Sequence, residues 1–292
     1  MSGEKLRDAS SGAGGAPVSS SEVWDARAAQ YERRREPKSL LIARILHEHL
    51  GLPSASAVLE VGAGAGAGAL AMSARMGRGT RLVVTDLSPV MLQLARRKLQ
   101  PVVQTNDGSP VEFHQADAQH IPFPDASFDS YAANMTLMLV DQPELALREA
   151  ARVLRPGGRL AMSVWGRREQ SSSRTLFWEA LDAAGIVLPA ARPNLSRFRL
   201  GDREQLSGML SRAGLRDVIT WYHTCVESDE DGDSFAAEIM AIEPAAGELD
   251  PSQLSAVHRR LADLAQERLS SGRPISLDIL IAIARKPLGE SI

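Results

Sequence analysis

Gly62, Gly64, Gly66 and Gly68 stand at every second position of VLEVGAGAGAG, after an apolar run and before Ala69-Leu70-Ala71. Glycines so placed permit a tight strand-to-helix turn and leave no side chain between the backbone and a ligand. The same letters satisfy the relaxed dinucleotide pattern GxGxxA, and the lack of a Gly-Lys-Ser/Thr ending excludes a P-loop. Asp86 closes the next apolar run, RLVVTD, where a carboxylate can accept hydrogen bonds from two neighbouring ribose hydroxyls. An NAD site also carries an acid at this place. Two further runs end in Asp117-Ala118 and Asn134-Met135. In an open α/β sheet the ligand lies across the carboxyl ends of the strands near the switch in strand order. Gly62 to Gly66, Asp86, Asp117 and Asn134 should therefore converge on one crevice.

Other reactive side chains are sparse. Cys225 is the single cysteine, so an internal disulfide, a CxxC site, a thiolate metal cluster and a multi-thiol arsenite acceptor site are all excluded. His47 and His49 face different directions on a helix and no HExxH spacing occurs, so no metal is expected. The candidates for a general base are His120, in the loop just after Asp117, and His223, which alternates with Tyr222 on a late strand. His114, inside a strand, reads as structural. Arg33-Arg34-Arg35 reads as a solvated face rather than a binding site for an acidic acceptor.

The elements that must position these groups follow from period and punctuation. AVLEV (57–61), RLVVTD (81–86), VEFHQ (111–115), SYAANM (130–135) and GRLAMSVW (158–165) read as strands alternating with helices, hence a parallel sheet covered on both faces. Trp24, Ala28 and Tyr31 recur at helical spacing after Ser21 as N-cap, and Leu41, Ile45 and Leu46 continue a second helix up to Gly51-Leu52-Pro53. Ser88-Pro89 caps and opens a helix with Met91, Leu92 and Ala95 on one face. Gln142-Pro143 opens another, which Arg155-Pro156-Gly157-Gly158 ends as a turn. Asp202 with Gln205 forms a capping box. DVITWYHTCV (217–226) and ISLDILIAIA (275–284) are late strands. Between them lie the acidic stretch ESDEDGD and two helical segments, the longer starting at Pro251 with an apolar stripe of Leu254, Val257, Leu261 and Leu264.

With 292 residues and 44% apolar content the chain can bury a sizeable core. Its 33 basic and 36 acidic residues leave a net charge of -3, which disfavours nucleic acid and anionic membrane surfaces as partners. No apolar run suffices for a membrane span. Residues 1–20 read as a disordered tail, not a signal peptide, and the expected address is cytoplasmic.

VLEVGAGAG, VVTDLSPVML, QADAQHIPFPDASFDS and LREAARVLRPGGRLAMSVW resemble the ordered motifs of class I S-adenosylmethionine-dependent methyltransferases, the quinone-biosynthesis C-methyltransferases in particular. The resemblance is strong over 57–165 and weaker at WDARAAQYERR and IAIARKP. It implies a Rossmann-like, doubly wound, mostly parallel seven-stranded sheet with an antiparallel last strand, and S-adenosyl-L-methionine as cofactor. Gly62, Ala63, Gly64 and Gly66 would line the methionine and adenosine, with Glu60 supporting the loop. Asp86 would hold the ribose, Leu87 and Met91 would flank the adenine, and Asp117 beside Ala118 would accept from its amino group. Asn134 and Met135 would face the methionine end. The sequence after Asn134 departs from relatives that carry a histidine pair or an aromatic there, and an NPPY-type motif is missing. On the acceptor side Trp24, Tyr31, Trp165 and Tyr222 are candidates. The rings of Trp24 and Tyr31 could close over the donor, where an aromatic face suits a sulfonium, and Tyr31 is also a weak catalytic candidate.

The expected organisation is one domain over 21–292: lid helices at 21–53, the Rossmann-like core at 54–226, a helical cap at 227–272, and the last strand and tail at 273–292. The expected activity is methyl transfer to an O, N or C atom of a small-molecule acceptor by a monomer or homodimer. A donor-binding but catalytically silent partner subunit and an NAD-dependent oxidoreductase are the alternatives.

Overall fold

The computed structural model describes residues 20–105, 109–188, 197–227 and 231–289. Of the expected tail only Ser20 is among them. Two helices lead the chain, α1 (Ser20–Arg34) and α2 (Glu36–His47), followed by β1 (Ala57–Val61), α3 (Ala67–Ser73), β2 (Arg81–Asp86), α4 (Pro89–Thr105) and β3 (Val111–Gln115). Then come β4 (Phe128–Asn134), α5 (Pro143–Val153), β5 (Leu154–Trp165), α6 (Ser172–Ala183), α7 (Arg203–Arg212) and β6 (Arg216–Val226). The chain closes with α8 (Gly232–Ile242), α9 (Pro251–Ser270) and β7 (Ser276–Arg285).

The strands form one seven-stranded sheet in the order β3-β2-β1-β4-β5-β7-β6. β1 to β5 run parallel, and β7 lies antiparallel between β5 and β6. The switch in order falls between β1 and β4, the two strands that start the sheet's opposite halves. The carboxyl ends of β1, β2, β3 and β4 therefore open onto one crevice, as open α/β topology requires.

The first three strands begin and end where the sequence places them, because each is a short β-branched run stopped by Gly, Asp or Pro. Ser88 caps α4 through its Oγ, which accepts from the Met91 amide at 3.0 Å. Elsewhere the punctuation is read differently by the fold. Arg155-Pro156-Gly157-Gly158 is not a clean turn: β5 starts at Leu154, and the register against β4 jumps from Phe128–Leu154 to Ser130–Arg159. The extra residues bulge out with Gly157 at φ 79°. Ser21 is not the N-cap of α1 but lies within it, its hydroxyl donating to Leu87 O at 3.1 Å. The Asp202 side chain caps α7 by accepting from the Gln205 amide, while the fully reciprocal capping box lies at Asp250 and Gln253 on α9. Leu41, expected on the apolar face of α2, is exposed; Ile42 and Leu46 are the buried positions.

Three apolar clusters result among the described residues, the smallest joining Ala28 of α1 to Ala65, Met91 and Leu94, with Trp24 and Tyr31 packed against it. The largest packs α2, α4, α5 and α7 against the sheet around Leu59, Val83, Phe128 and Tyr131. A second, separate core joins α6 (Leu176, Phe177, Trp178) to α8 (Phe235, Ile239) and α9 (Val257, Leu261, Ala265). The apolar stripe of α9 is thus spent on α6 and α8 and buttresses the cap rather than forming the rim of the crevice. The helix α6, which no punctuation in the sequence announces, completes the cap. Among the described residues no helix is long and apolar enough to cross a membrane.

Candidate functional site

The loop after β1 turns on glycines in the left-handed region, Gly62 at φ 67°, Gly64 at φ 57° and Gly66 at φ 90°. Each lacks a side chain for a different reason. A Cβ on Gly62 would collide with the Thr136 side chain, 3.0 Å from its Cβ, and one on Gly66 would meet Ala95 Cα on α4 at 2.7 Å. A Cβ on Gly64 would touch the Tyr31 ring at 2.9 Å. All three are therefore close-packed where a side chain would stand, and Gly62 and Gly64 also present bare backbone to the cavity wall.

Asp86, at the end of β2, is buried. Its Oδ2 accepts from the Gly64 amide at 2.8 Å and its Oδ1 from the Ser88 amide at 2.9 Å. Burial raises this carboxyl above its ordinary range while those amides pull it down. Glu60, beneath the loop, is buried too, and its Oε2 finds no hydrogen-bond partner. Burial, with Asp86 and Glu36 nearby, pushes it up to about 8.

A cavity of 660 Å³ opens from this loop, within the range of about 300–1,000 Å³ of small-molecule sites. Gly62, Gly64, Asp86, Leu87, Met91, Asp117, Ala118, Asn134 and Met135 line its strand-end side, and Trp24, Tyr31 and Trp165 also face it. Trp24 and Tyr31 meet edge to face at 6.2 Å, and burial pushes the Tyr31 hydroxyl up to about 12. The Asn134 amide points to α2, donating to Ser39 O and Oγ at 3.0 and 2.9 Å. Met135 turns the chain at φ 55°, a conformation rare for a long side chain. The Asp117 carboxylate is engaged by the Gln119 amide and side chain.

Six of the residues singled out in the sequence do not line the cavity. Ala63 and Gly66 turn into packing contacts and Glu60 lies below the loop. His120 is exposed, because the loop after Asp117 folds back in a bridge that carries it outward. His223 and Tyr222 sit away from the crevice on the edge strand β6, and the Tyr222 hydroxyl donates to Gly201 O at 3.0 Å. No histidine lines the cavity among the described residues.

The opposite wall holds charges that sequence reading missed. Arg33 and Arg34 are exposed, but Arg35 turns inward, overturning the expectation that the whole triplet is a solvated face. Beside it in the lining are Arg27, Lys38, Arg174, Arg197, Glu227 and Glu243. Arg174 pairs with Glu227 at 2.8 Å with both side chains over nine-tenths buried. These residues come from α1, α2, α6, the segment before α7, the start of the insertion and the end of α8, so no local spacing links them.

Gln30 and Lys38, both in the cavity lining, tie the N-terminal helices to the insertion. Gln30 of α1 donates to Ala241 O at 2.8 Å, and Lys38 of α2 pairs with Glu238 of α8 at 3.1 Å. The N-terminal helices and the insertion thus contact each other beside the cavity.

A glycine turn after β1, an acid ending β2 and a covered crevice at the sheet's switch point define a Rossmann-like site for an adenosyl ligand. Residues 59–162 match a family model described as a methyltransferase domain. The ubiquinone/menaquinone biosynthesis C-methyltransferase UbiE of Hahella chejuensis is 35% identical over 207 residues, covering 66% of this chain and 82% of that protein. The UbiE protein of Pseudomonas putida is 33% identical over 219 residues, covering 69% and 82%. The chain belongs to the class I S-adenosylmethionine-dependent methyltransferases. Among solved structures, the complex between the Haloferax volcanii Trm112 methyltransferase activator and a methyltransferase aligns with a TM-score of 0.56 at 21% identity, over 90% of this chain and 97% of that one. The cyclase SpnF aligns at 0.54 and 23% over 86% and 82%. These two likenesses concern the fold, and since one neighbour is called a cyclase, the reaction must be argued from the site.

Proposed function

We propose that the chain transfers a methyl group from S-adenosylmethionine to a small-molecule acceptor held under the cap. The observation that carries this reading is the continuity of one cavity, from the β1, β2 and β3 ends to a chamber walled by Trp165, Met138 and Leu139. The donor end fits the ligand. Gly62 and Gly64 bring bare backbone to the cavity wall, Asp86 offers carboxylate oxygens to ribose hydroxyls, and Leu87, Met91, Ala118 and Asp117 line the same side for the adenine. Tyr31 and Trp24 cover the methionine end. Among the three glycines the cavity argues for Gly62 and Gly64 as donor contacts and for Gly66 as support.

When bound, S-adenosylmethionine supplies an electrophilic methyl on a sulfonium, which displacement leaves as a neutral thioether. The side chains of this protein have to align an acceptor with that methyl and keep water out. The contacts between α1–α2 and α8 and the apolar part of the chamber, Trp165, Met138 and Leu139, serve both ends. Such positioning supplies on the order of 7–11 kcal/mol of the barrier. Where the acceptor must lose a proton, Glu243 is the carboxylate of the chamber that burial moves toward neutral pH, so it replaces His120 and His223 as the base candidate. The domain reading that follows is a single unit in which the cap comprises α6, α8 and α9, with α1 and α2 as its counterpart.

Calorimetric titration with S-adenosylmethionine and with NADH, followed by transfer of labelled methyl to an acceptor panel, tests the proposal. Binding of the first ligand alone, with label moving to an acceptor, is the expected result. Binding without any transfer across the panel would favour a silent donor-binding subunit, and NADH binding would overturn the proposal.

A further inference from the structure

Cations outnumber anions in the chamber, and they are not solvated on an open face. Arg35 and Arg197 are half-buried, line the cavity, and form no ion pair or side-chain hydrogen bond with the described residues. Arg197 stacks over the Trp165 ring at 5.6 Å, with Arg174 at 5.7 Å from the same ring. Arg174 is neutralised by Glu227, and Lys38 by Glu238. That leaves Arg27, Arg35 and Arg197 against Glu243 within the cluster. Asp86 and Asp117 belong to the strand ends, where backbone or Gln119 groups hold them, and Asp141 is exposed at the rim.

Desolvating a cation without an anion costs several kcal/mol, and arginines facing one another add repulsion. The cost shows in both guanidiniums. Burial first, then Arg174, brings Arg35 down to about 10 against the opposing pull of Glu227 and Glu243, neither of which pairs with it directly. Burial, then Arg27, does the same for Arg197. A cavity that retains such charges is matched to a ligand that cancels them. The apolar walls, Trp165 and Leu139 among them, fit the uncharged body of the same ligand.

We propose that the acceptor is an anionic small molecule, an apolar or aromatic body bearing a carboxylate or a phosphate, whose oxygens are held by Arg35 and Arg197 beside Trp165. This rests on the chamber being the acceptor site of the proposed methyl transfer. Arginine is the suited residue, since its planar fork pairs two oxygens at once and its face stacks on an indole.

The test uses full-length protein saturated with S-adenosylhomocysteine and titrates benzoate, phenyl phosphate and the neutral benzamide. At least one of the two anions should bind tenfold or more tightly than benzamide, and which one does so tells carboxylate from phosphate. Arg197→Gln and Arg35→Gln should each erase that preference, Arg197→Lys should retain part of it, and S-adenosylhomocysteine affinity should stay within threefold in all three. Equal binding of the anions and benzamide by the wild type would overturn the proposal, and this arm needs no variant to fold. A tenfold loss of S-adenosylhomocysteine affinity in the variants would overturn it as well, because the arginines would then hold the donor's own carboxylate. Failure of the wild type to bind S-adenosylhomocysteine at all would instead overturn the methyltransferase reading, a result visible before any anion is added.

Discussion

Replacing Gly62 by alanine separates the two demands that the loop places on its glycines. At φ 67° an L residue costs about 1–2 kcal/mol in backbone strain alone. Gly79 provides the control: at φ 76° it is equally left-handed, yet a Cβ there meets nothing within 4 Å. Gly79→Ala should therefore lower stability by about 1–2 kcal/mol and leave donor affinity untouched. In Gly62→Ala the new methyl lands on the branched Cβ of Thr136, which has no flexible end to move away. Thr136 would have to abandon its hydrogen bonds to Val61 O and Asn134 O, at 3.2 and 3.0 Å. Overpacking of this kind costs about 1–3 kcal/mol beyond strain, for a total of about 2–5 kcal/mol. Moving Thr136 also shifts Met135 and the end of β4, which line the cavity, so S-adenosylmethionine affinity should fall at least tenfold. Urea unfolding gives the first quantity and calorimetry the second. Equal stability losses in the two variants, with wild-type donor affinity in Gly62→Ala, would refute the crowding argument.

Asp86→Ala should weaken the donor by about 1.5–3 kcal/mol, the value of hydrogen bonds to a charged group, with the fold retained; wild-type affinity in a titration would remove the ribose assignment. Stability of the unliganded protein should fall as pH rises from about 6.5 to about 8, because Glu60 stays protonated in the fold up to about 8 while the unfolded chain releases that proton from about 4.5 upward. Between about 4.5 and 6.5 this trend is offset by His47, which burial lowers to about 4 and whose neutral form is lost on acidification. Glu60→Gln should abolish the alkaline decline in urea midpoints, and an unchanged decline would contradict a buried, protonated Glu60. Glu243→Gln should reduce turnover at least tenfold at pH 7 without changing donor affinity, and rates that remain at wild type would exclude Glu243 as a base. Breaking the ties between α1–α2 and α8 with Lys38→Met and Gln30→Ala should raise the acceptor KM and speed donor release in stopped-flow, while unaltered release would show that these helices are held together by other contacts.

The strand-end side of the cavity is legible in the sequence because it is written locally. Gly62–Gly66, Asp86, Asp117 and Asn134 each end a strand, and the parallel topology alone brings strand ends together, so spacing along the chain sufficed. The opposite wall, proposed above to hold the acceptor, is assembled from distant segments. Nothing in RREPKS marks Arg35 as inward and Arg34 as outward; that depends on the pitch of α1 into α2 and on the helices arriving from residues 172–183 and 232–270. The same cause misdirected attention to His120 and His223. Their positions near strand ends or on strands were read correctly, but a two-residue bridge and an edge placement turned them away from the cavity. Pro156-Gly157-Gly158 shows the converse, since turn residues inside a strand signal a bulge as readily as a stop.

The most direct single measurement is a crystal structure of the protein grown with S-adenosylhomocysteine. The ribose hydroxyls should lie within hydrogen-bond distance of Asp86, the adenine between Leu87, Met91 and Ala118, and the homocysteine sulfur should face the chamber walled by Trp165 and Arg197. A ligand seated elsewhere, or one whose sulfur points away from that chamber, would contradict a methyl transfer carried out in this cavity.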